Sequence, residues 1–285
     1  MHVAHLRREL DDRLFVRTSS GLGFTPGGLR LASRAVEILG LQDRTVREVS
    51  QAGNGRRLLR MAASRLFAEH AAPGLIELFA GRADDLDVEL SVQPTAQFAA
   101  LLTDRTVDVA IGPPPTSTPA TVTHKPFLNH EVLAVVAPGH PLAGHTIGPG
   151  HARTQTWLLG PSGTEDEGVA VGMLHLLGVP ERNQRIFQSD AAALEETKRT
   201  NGIALALRFA VASDLAAGRL AQVEGPGMRA NGRWTAMTLL PDSQLPATAE
   251  LLRFITTPRA TQAMVRGAGV KVGRFKPSVH VTLWN

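Results

Sequence analysis

Cysteine is absent from all 285 residues. That excludes disulfides, thiolate metal sites and a cysteine nucleophile, and it agrees with a reducing compartment such as the cytoplasm. Long apolar runs are absent as well. No stretch approaches the roughly 18 uninterrupted apolar residues of a membrane span, and His2 to Arg13 carries charge where a secretory signal would carry an apolar core. Neither membrane insertion nor export is expected, and the cytoplasm is the expected location. Lysine is missing from residues 1 to 57, which hold ten arginines against six acids, whereas residues 58 to 285 carry twenty charges of each sign. The whole excess of +4 therefore sits at the N-terminal end. Arginine's planar fork grips phosphate oxygens in pairs, so a nucleic-acid contact is one reading of this end, and a solvated helix face is the other.

What is present argues for several units. At this length two or three domains are expected, and 43% hydrophobic with 20% charged residues is an ordinary globular composition. Val3 to Leu10 has helical spacing, with Val3, Leu6 and Leu10 on one stripe. Arg7, Arg8 and Arg13 are expected to pair with Glu9, Asp11 and Asp12. Leu14 to Arg17 and Leu22 to Thr25 read as a small hairpin about Thr18-Ser19-Ser20-Gly21. Thr25-Pro26 is a helix start, because threonine can accept from orphan amides and proline at the first helical position loses no needed hydrogen bond. The helix it opens runs to about Gln51 and ends at Gly53-Asn54-Gly55. Its apolar stripe, and the cost of about 1 kcal/mol for Gly40 inside it, point to a covering partner helix and hence a dimer.

From Leu58 onward strands and helices alternate with short connections. Strands are expected at 58–63, 88–93, 107–111, 132–137, 157–159, 185–187, 203–207, 220–223 and 234–240. Helices are expected at 64–79 with a break near Pro73, then at 97–102, 164–177, 191–199, 209–217, 248–256 and 259–265. This is α/β: two lobes of parallel sheet with helices on both faces, the last segment rejoining the first lobe so that the chain crosses twice and makes a hinged cleft.

The run Leu14-Phe15-Val16-Arg17-Thr18, Gly21-Leu22 and Phe24-Thr25-Pro26-Gly27-Gly28 resembles the winged-helix end of LysR-type transcriptional regulators. Four further stretches match that family in order: Leu59 to Ser64, Asp108 to Ile111, Val135 to Leu142, and Gly202 to Leu207. The resemblance implies a partial winged helix-turn-helix at 1–25 and a linker and dimerisation helix at 26–55. An effector-binding domain at 57–271 follows, built as two Rossmann-like lobes of the type 2 periplasmic-binding-protein fold. Lobe I spans about 57–128 and 227–271, lobe II about 129–226, and a tail follows at 272–285. Val3 to Leu10 aligns with the later half of the recognition helix, which implies a truncated head whose contact with double-stranded DNA is weakened or lost.

On the resemblance, DNA falls to His2, His5 and Arg8 of the recognition helix and to Arg17, Thr18, Ser19 and Ser20 of the wing, with Arg17 the leading phosphate contact. The effector falls to Ser64, Arg65, Thr95, Gln97, Ser162, Gly163 and Thr164, at strand ends and helix starts where amides are unsatisfied, with Leu207, Arg208 and Phe209 closing the cleft. Hydroxyls and amides with Arg65 and Arg208 suit a small anionic metabolite such as a carboxylate. Ser162 and Thr164 are equally readable as helix caps, and Glu165, Asp166 and Glu167 as acids in a first helical turn. His140, His145 and His151 do not share a helical face and read as surface residues. Gly160-Pro161-Ser162-Gly163-Thr164 lacks the spacing of a nucleophile elbow, and Gly21-Leu22-Gly23 does not open a dinucleotide-binding helix. No catalytic, metal or cofactor site is expected. The leading expectation is a ligand-responsive transcription regulator, a homodimer or homotetramer. The alternatives are a ligand-binding module that has lost DNA binding and, last, an enzyme on the same scaffold.

Overall fold

The computed structural model describes residues 2–18, 21–164 and 168–266. Ser19, Ser20, Glu165 to Glu167 and the tail at 272–285 lie outside them, as does the side chain of Thr18. The chain opens with α1 (His2–Glu9), the hairpin of β1 (Phe15–Thr18) and β2 (Gly21–Phe24), and the long α2 (Pro26–Asn54). No residue of α1 is buried. Thr25 performs the capping role that the sequence assigns it, since its Oγ1 accepts from the Gly28 amide at 2.8 Å. The same hydroxyl donates to Asp12 Oδ1 at 2.6 Å, and Asp12 also accepts from the Leu14 amide at 2.6 Å.

The expected pairing of Arg7, Arg8 and Arg13 with Glu9, Asp11 and Asp12 does not form among the described residues. Asp12 is instead committed to the helix start, whose two acceptor contacts hold its carboxyl below the usual carboxylate range. Glu9 faces His5, and the Arg7 guanidinium lies over the Phe15 ring. Glycines are required at 27 and 28 because a Cβ there would stand 2.0 Å from Asp12 Oδ2 and 1.9 Å from the Leu14 carbonyl oxygen. Helix α2 runs a turn longer than expected and is followed by Gly55 at φ +65°, a conformation that favours glycine.

Next come β3 (Arg57–Ala63), α3 (Arg65–His70), α4 (Ala72–Ala80), β4 (Leu86–Val92), α5 (Phe98–Thr103) and β5 (Val109–Gly112). Strand β3 pairs in parallel with β4 on one side and β5 on the other. The break between α3 and α4 falls at Ala71, two residues before the expected Pro73, which sits in the first turn of α4. Then follow β6 (Val122–Val136), α6 (Pro149–Ala152), β7 (Trp157–Leu159), α7 (Val169–Leu177), β8 (Gln184–Ile186), α8 (Asp190–Thr197), β9 (Ile203–Leu207), α9 (Arg208–Ala216) and β10 (Ala221–Gln222). The described residues end with β11 (Arg229–Leu239), α10 (Pro246–Phe254) and α11 (Pro258–Arg266). The expected helix at 164–177 begins only at Val169, after a single 3-10 turn at Pro161–Gly163. Pro161 and two glycines favour that tight turn over an α-helical start.

Among the described residues, all strands after the hairpin join one mixed sheet in the order β4-β3-β5-β11-β6-β9-β7-β8, with β10 also on β6. Its two ends are parallel three-strand sets, and its centre is the antiparallel pair β6 and β11. β11 meets β5 at Thr235 to Met237, while β6 meets β9 at Val132 to Val135, so these two strands carry the chain out of one lobe and back. Sequence patterning finds only the second half of β6, because Thr123 to Glu131 is polar and contains Pro126, features that read as loop.

Both faces of the sheet are covered in each lobe, as parallel strands require. In the first lobe Leu59, Met61, Phe67, Phe79 and Ile111 pack with Leu251, Phe254 and Met264. On the opposite face lie Phe98, Leu102, Val107 and Met237. The second lobe buries Trp157, Leu159, Leu174, Ile203 and Met228 on one side and Leu133, Val135, Val211 and Leu220 on the other. Each fully buried side chain of this kind contributes about 1.5–3 kcal/mol. The one polar atom of Trp157, Nε1, donates to the Ala152 carbonyl at 3.0 Å. An ion pair under β3 ties the first lobe together: Arg60 grips Asp108 through Nη2 at 2.7 Å and Nε at 3.2 Å, and its backbone amide adds a third bond at 2.8 Å.

Candidate functional site

The two crossing strands form the floor of a cleft of about 1120 Å³. Ser64, Leu66, Pro113 and Pro114 face it from the first lobe, Ser162, His175 and the first turn of α7 from the second. Asn129, His130, Asn231, Gly232, Arg233 and Trp234 make the floor. Each of these positions follows from register. His130 lies opposite Gly232 and Asn129 opposite Arg233 on the antiparallel pair, and the pairing shifts by one residue between Trp234 and Thr235. Gly232 leaves the space that the His130 ring fills, since a Cβ there would stand 2.3 Å from Nε2. The ring stacks, tilted, on Trp234 with centroids 4.4 Å apart, and Phe67 meets that indole edge-on at 5.0 Å.

Electrostatics at the floor follow from this packing. Burial pushes the His130 pKa down to about 4, so the ring is neutral near pH 7. Its Nδ1 is buried and has no hydrogen-bond partner among the described residues. Ser64 Oγ is in the same condition: the residue is 2% exposed, stands at the N-cap position of α3 and yet makes no capping bond. A buried polar atom left unpaired costs about 1–3 kcal/mol, so both atoms favour a polar partner in the cleft. Arg233 supplies the positive charge, its Nε donating to Asn129 Oδ1 at 3.2 Å.

Of the effector residues named from the sequence, Ser64 and Ser162 reach the cleft, and Ser162 Oγ donates to Asp190 Oδ1 at 2.7 Å. Thr95 packs beside Ser64 about Gly112, where a Cβ would meet its methyl at 3.3 Å, and does not line the cleft. Arg65 and Gln97 are exposed. Gly163 packs on Leu159, and Thr164 Oγ1 donates to the Pro161 carbonyl at 2.9 Å, a local turn contact. Leu207 belongs to the first-lobe core, and Arg208 pairs with Glu131 at 2.9 Å. Phe209 stands edge-on to Trp234 at 6.1 Å, behind the floor. His130, Arg233 and Trp234 are absent from the sequence-based set. The one sequence signal for them was the Gly232 that interrupts β11.

In the head, His2, His5 and Arg8 are exposed on α1, and Arg17 is exposed on β1 opposite Leu22. Phe15 and Phe24 close the hairpin with centroids 4.8 Å apart.

Residues 52–258 match the LysR substrate binding domain. The chain belongs to the LysR family of transcriptional regulators. It is 59% identical over 288 residues to an HTH-type transcriptional regulator of Mycobacterium tuberculosis, an alignment covering 100% of this chain and 90% of the relative. Among solved structures, ArgP from Mycobacterium tuberculosis superposes with a TM-score of 0.61 at 15% identity, covering 94% of this chain and 86% of that one. The regulatory domain of Synechocystis CcmR, in complex with 2-PG, superposes with a TM-score of 0.56 at 21% identity, covering 70% of this chain and 95% of that one. The LysR chain thus has the two-lobed α/β architecture that its strand and helix pattern implies. Among its described residues, no helix is long and apolar enough to cross a membrane.

Proposed function

We propose that the cleft of this LysR regulator takes a small anionic metabolite, a carboxylate or phosphate ester, and that its occupancy changes how an oligomer presents its heads to DNA. The cleft lining carries this reading: Ser64 Oγ and His130 Nδ1 are buried without hydrogen-bond partners among the described residues, and Arg233 lines the same cleft. The first turn of α7 also faces the cleft, and free amides at a helix start favour negative charge. The 2-PG held by CcmR is in keeping with such a ligand. Arg65, Thr95, Gln97, Thr164 and Arg208 come into play if the lobes close further, since a ligand shifts the lobes only by its differential affinity for the two arrangements.

The head contacts phosphate through Arg17, with His2, His5 and Arg8 facing the groove. A second copy covers α2, where Ile38, Val46 and Val49 are each more than 60% exposed. The protein acts in the cytoplasm and catalyses no reaction. A second reading, a ligand-binding module without DNA activity, is favoured by one observation, that no side chain of α1 is buried.

The test is a thermal-shift screen of carboxylates and phosphate esters, followed by a gel shift on the chain's own promoter region with and without the best ligand. Ser64→Ala and Arg233→Ala should each weaken that ligand about tenfold, the range of a charged or buried hydrogen bond. A ligand whose affinity neither substitution changes would place the effector elsewhere, and unaltered DNA in every lane would favour the second reading.

A further inference from the structure

Away from the cleft floor, the end of α3 meets the start of α8. Glu69 and His70 come from the first lobe and Asp190 from the second, and one ligand atom from each lies within 4.8 Å of the other two. The lobes already touch here, because Glu69 Oε1 accepts from the Ala191 amide at 3.2 Å. Asp190 is firmly held. Its Oδ1 accepts from Ser162 Oγ, and Gly160 is packed so closely against it that a Cβ there would stand 2.5 Å from the Asp190 backbone nitrogen. Its other oxygen, Oδ2, is buried with no hydrogen-bond partner among the described residues.

The charges do not balance. Two carboxylates face each other across the lobes, and the charged groups acting on Asp190 are Glu69 and His70, with no lysine or arginine among them. One imidazole and two carboxylates thus converge on one point between the lobes, the donor set of a metal site.

We propose that Glu69, His70 and Asp190 form a divalent transition-metal site that bridges the two lobes. One imidazole nitrogen with two carboxylate oxygens suits zinc, manganese or cobalt, whereas magnesium and calcium prefer all-oxygen sets. Metal–ligand bonds of about 2.1 Å at tetrahedral angles put donor atoms about 3.4 Å apart. Loading the site thus shortens the donor separations by up to about 1.4 Å, from within 4.8 Å, and pins α3 to α8. The metal acts as a latch between lobes, separate from the cleft ligand. Sequence spacing hides the site, since the third donor comes from the other lobe.

The experiment is isothermal titration of the chelator-treated full chain with zinc chloride and manganese chloride, no effector being present. One saturable equivalent is expected, together with a rise in melting temperature. Asp190→Asn keeps the size of the side chain and an acceptor for Ser162, so it should fold, and melting without metal checks this. Asp190→Asn, Glu69→Gln and His70→Gln should each weaken binding at least about tenfold, whereas His145→Gln, on the exposed loop, should leave it unchanged. Binding that survives all three substitutions, or its absence from the wild-type chain, overturns the proposal. So does an Asp190→Asn chain that is stabilised without metal while metal does nothing to the wild type, because a shared proton then neutralises the pair.

Discussion

His130 makes stability depend on acidity in a way that one substitution isolates. Its pKa is about 4 in the folded chain against 6.5 when exposed. Between those values the unfolded chain binds a proton at this ring and the folded chain does not, so stability falls as pH falls through the window. At about 1.4 kcal/mol per pKa unit, lowering the pH from 7 to 5 costs about 2 kcal/mol through this residue alone. His130→Gln removes that dependence. It also removes the stack on Trp234, worth about 1 kcal/mol, so the variant should be the less stable chain near pH 7. The two stability curves should then cross, with the variant the more stable near pH 5. Urea unfolding of both chains across this range measures the difference, and every other histidine cancels because both chains carry it. Parallel curves would refute the claim that the ring is buried and neutral at the cleft floor.

Two further outcomes bear on packing. Asp108→Ala strands Arg60, whose side chain is 13% exposed, beneath β3, and should cost about 3–5 kcal/mol in urea unfolding; a loss below about 1 kcal/mol would mean that water reaches the guanidinium. Gly40→Ala sets two effects of opposite sign against each other. Helix propensity predicts a gain of about 1 kcal/mol, but a Cβ at this position would stand 2.1 Å from the Asp104 carbonyl oxygen, where α2 rests on its own effector domain. Overpacking of this kind costs about 1–3 kcal/mol. The melting temperature should therefore fall, and a rise would show that α2 does not dock there in solution.

Much of the molecule is written locally. Thr25-Pro26 starts α2 because one hydroxyl and one fixed φ act within a single turn, and Pro73 marks the first turn of α4 for the same short-range reason. The apolar runs at 61–63, 109–111 and 203–207 announce buried strands, and with the LFVR and FTPGG stretches they identify the LysR family. Ser64 and Ser162 are legible because strand ends in an open α/β sheet expose amides at helix starts wherever the strands lie.

Other features exist only after the chain has folded. His130 and Trp234 meet through the register of two antiparallel strands about a hundred residues apart, and the polar first half of β6 gives no periodic sign that it is a strand. Asp12 forsakes the nearby arginines for Thr25 because the hairpin brings that hydroxyl within reach. Gly40, a liability by helix propensity, becomes the point where α2 can approach Asp104. The absence of cysteine rules out thiolate chemistry from the sequence alone. That Glu69, His70 and Asp190 gather between the lobes was decided by tertiary packing, since donors from separate lobes share no sequence spacing.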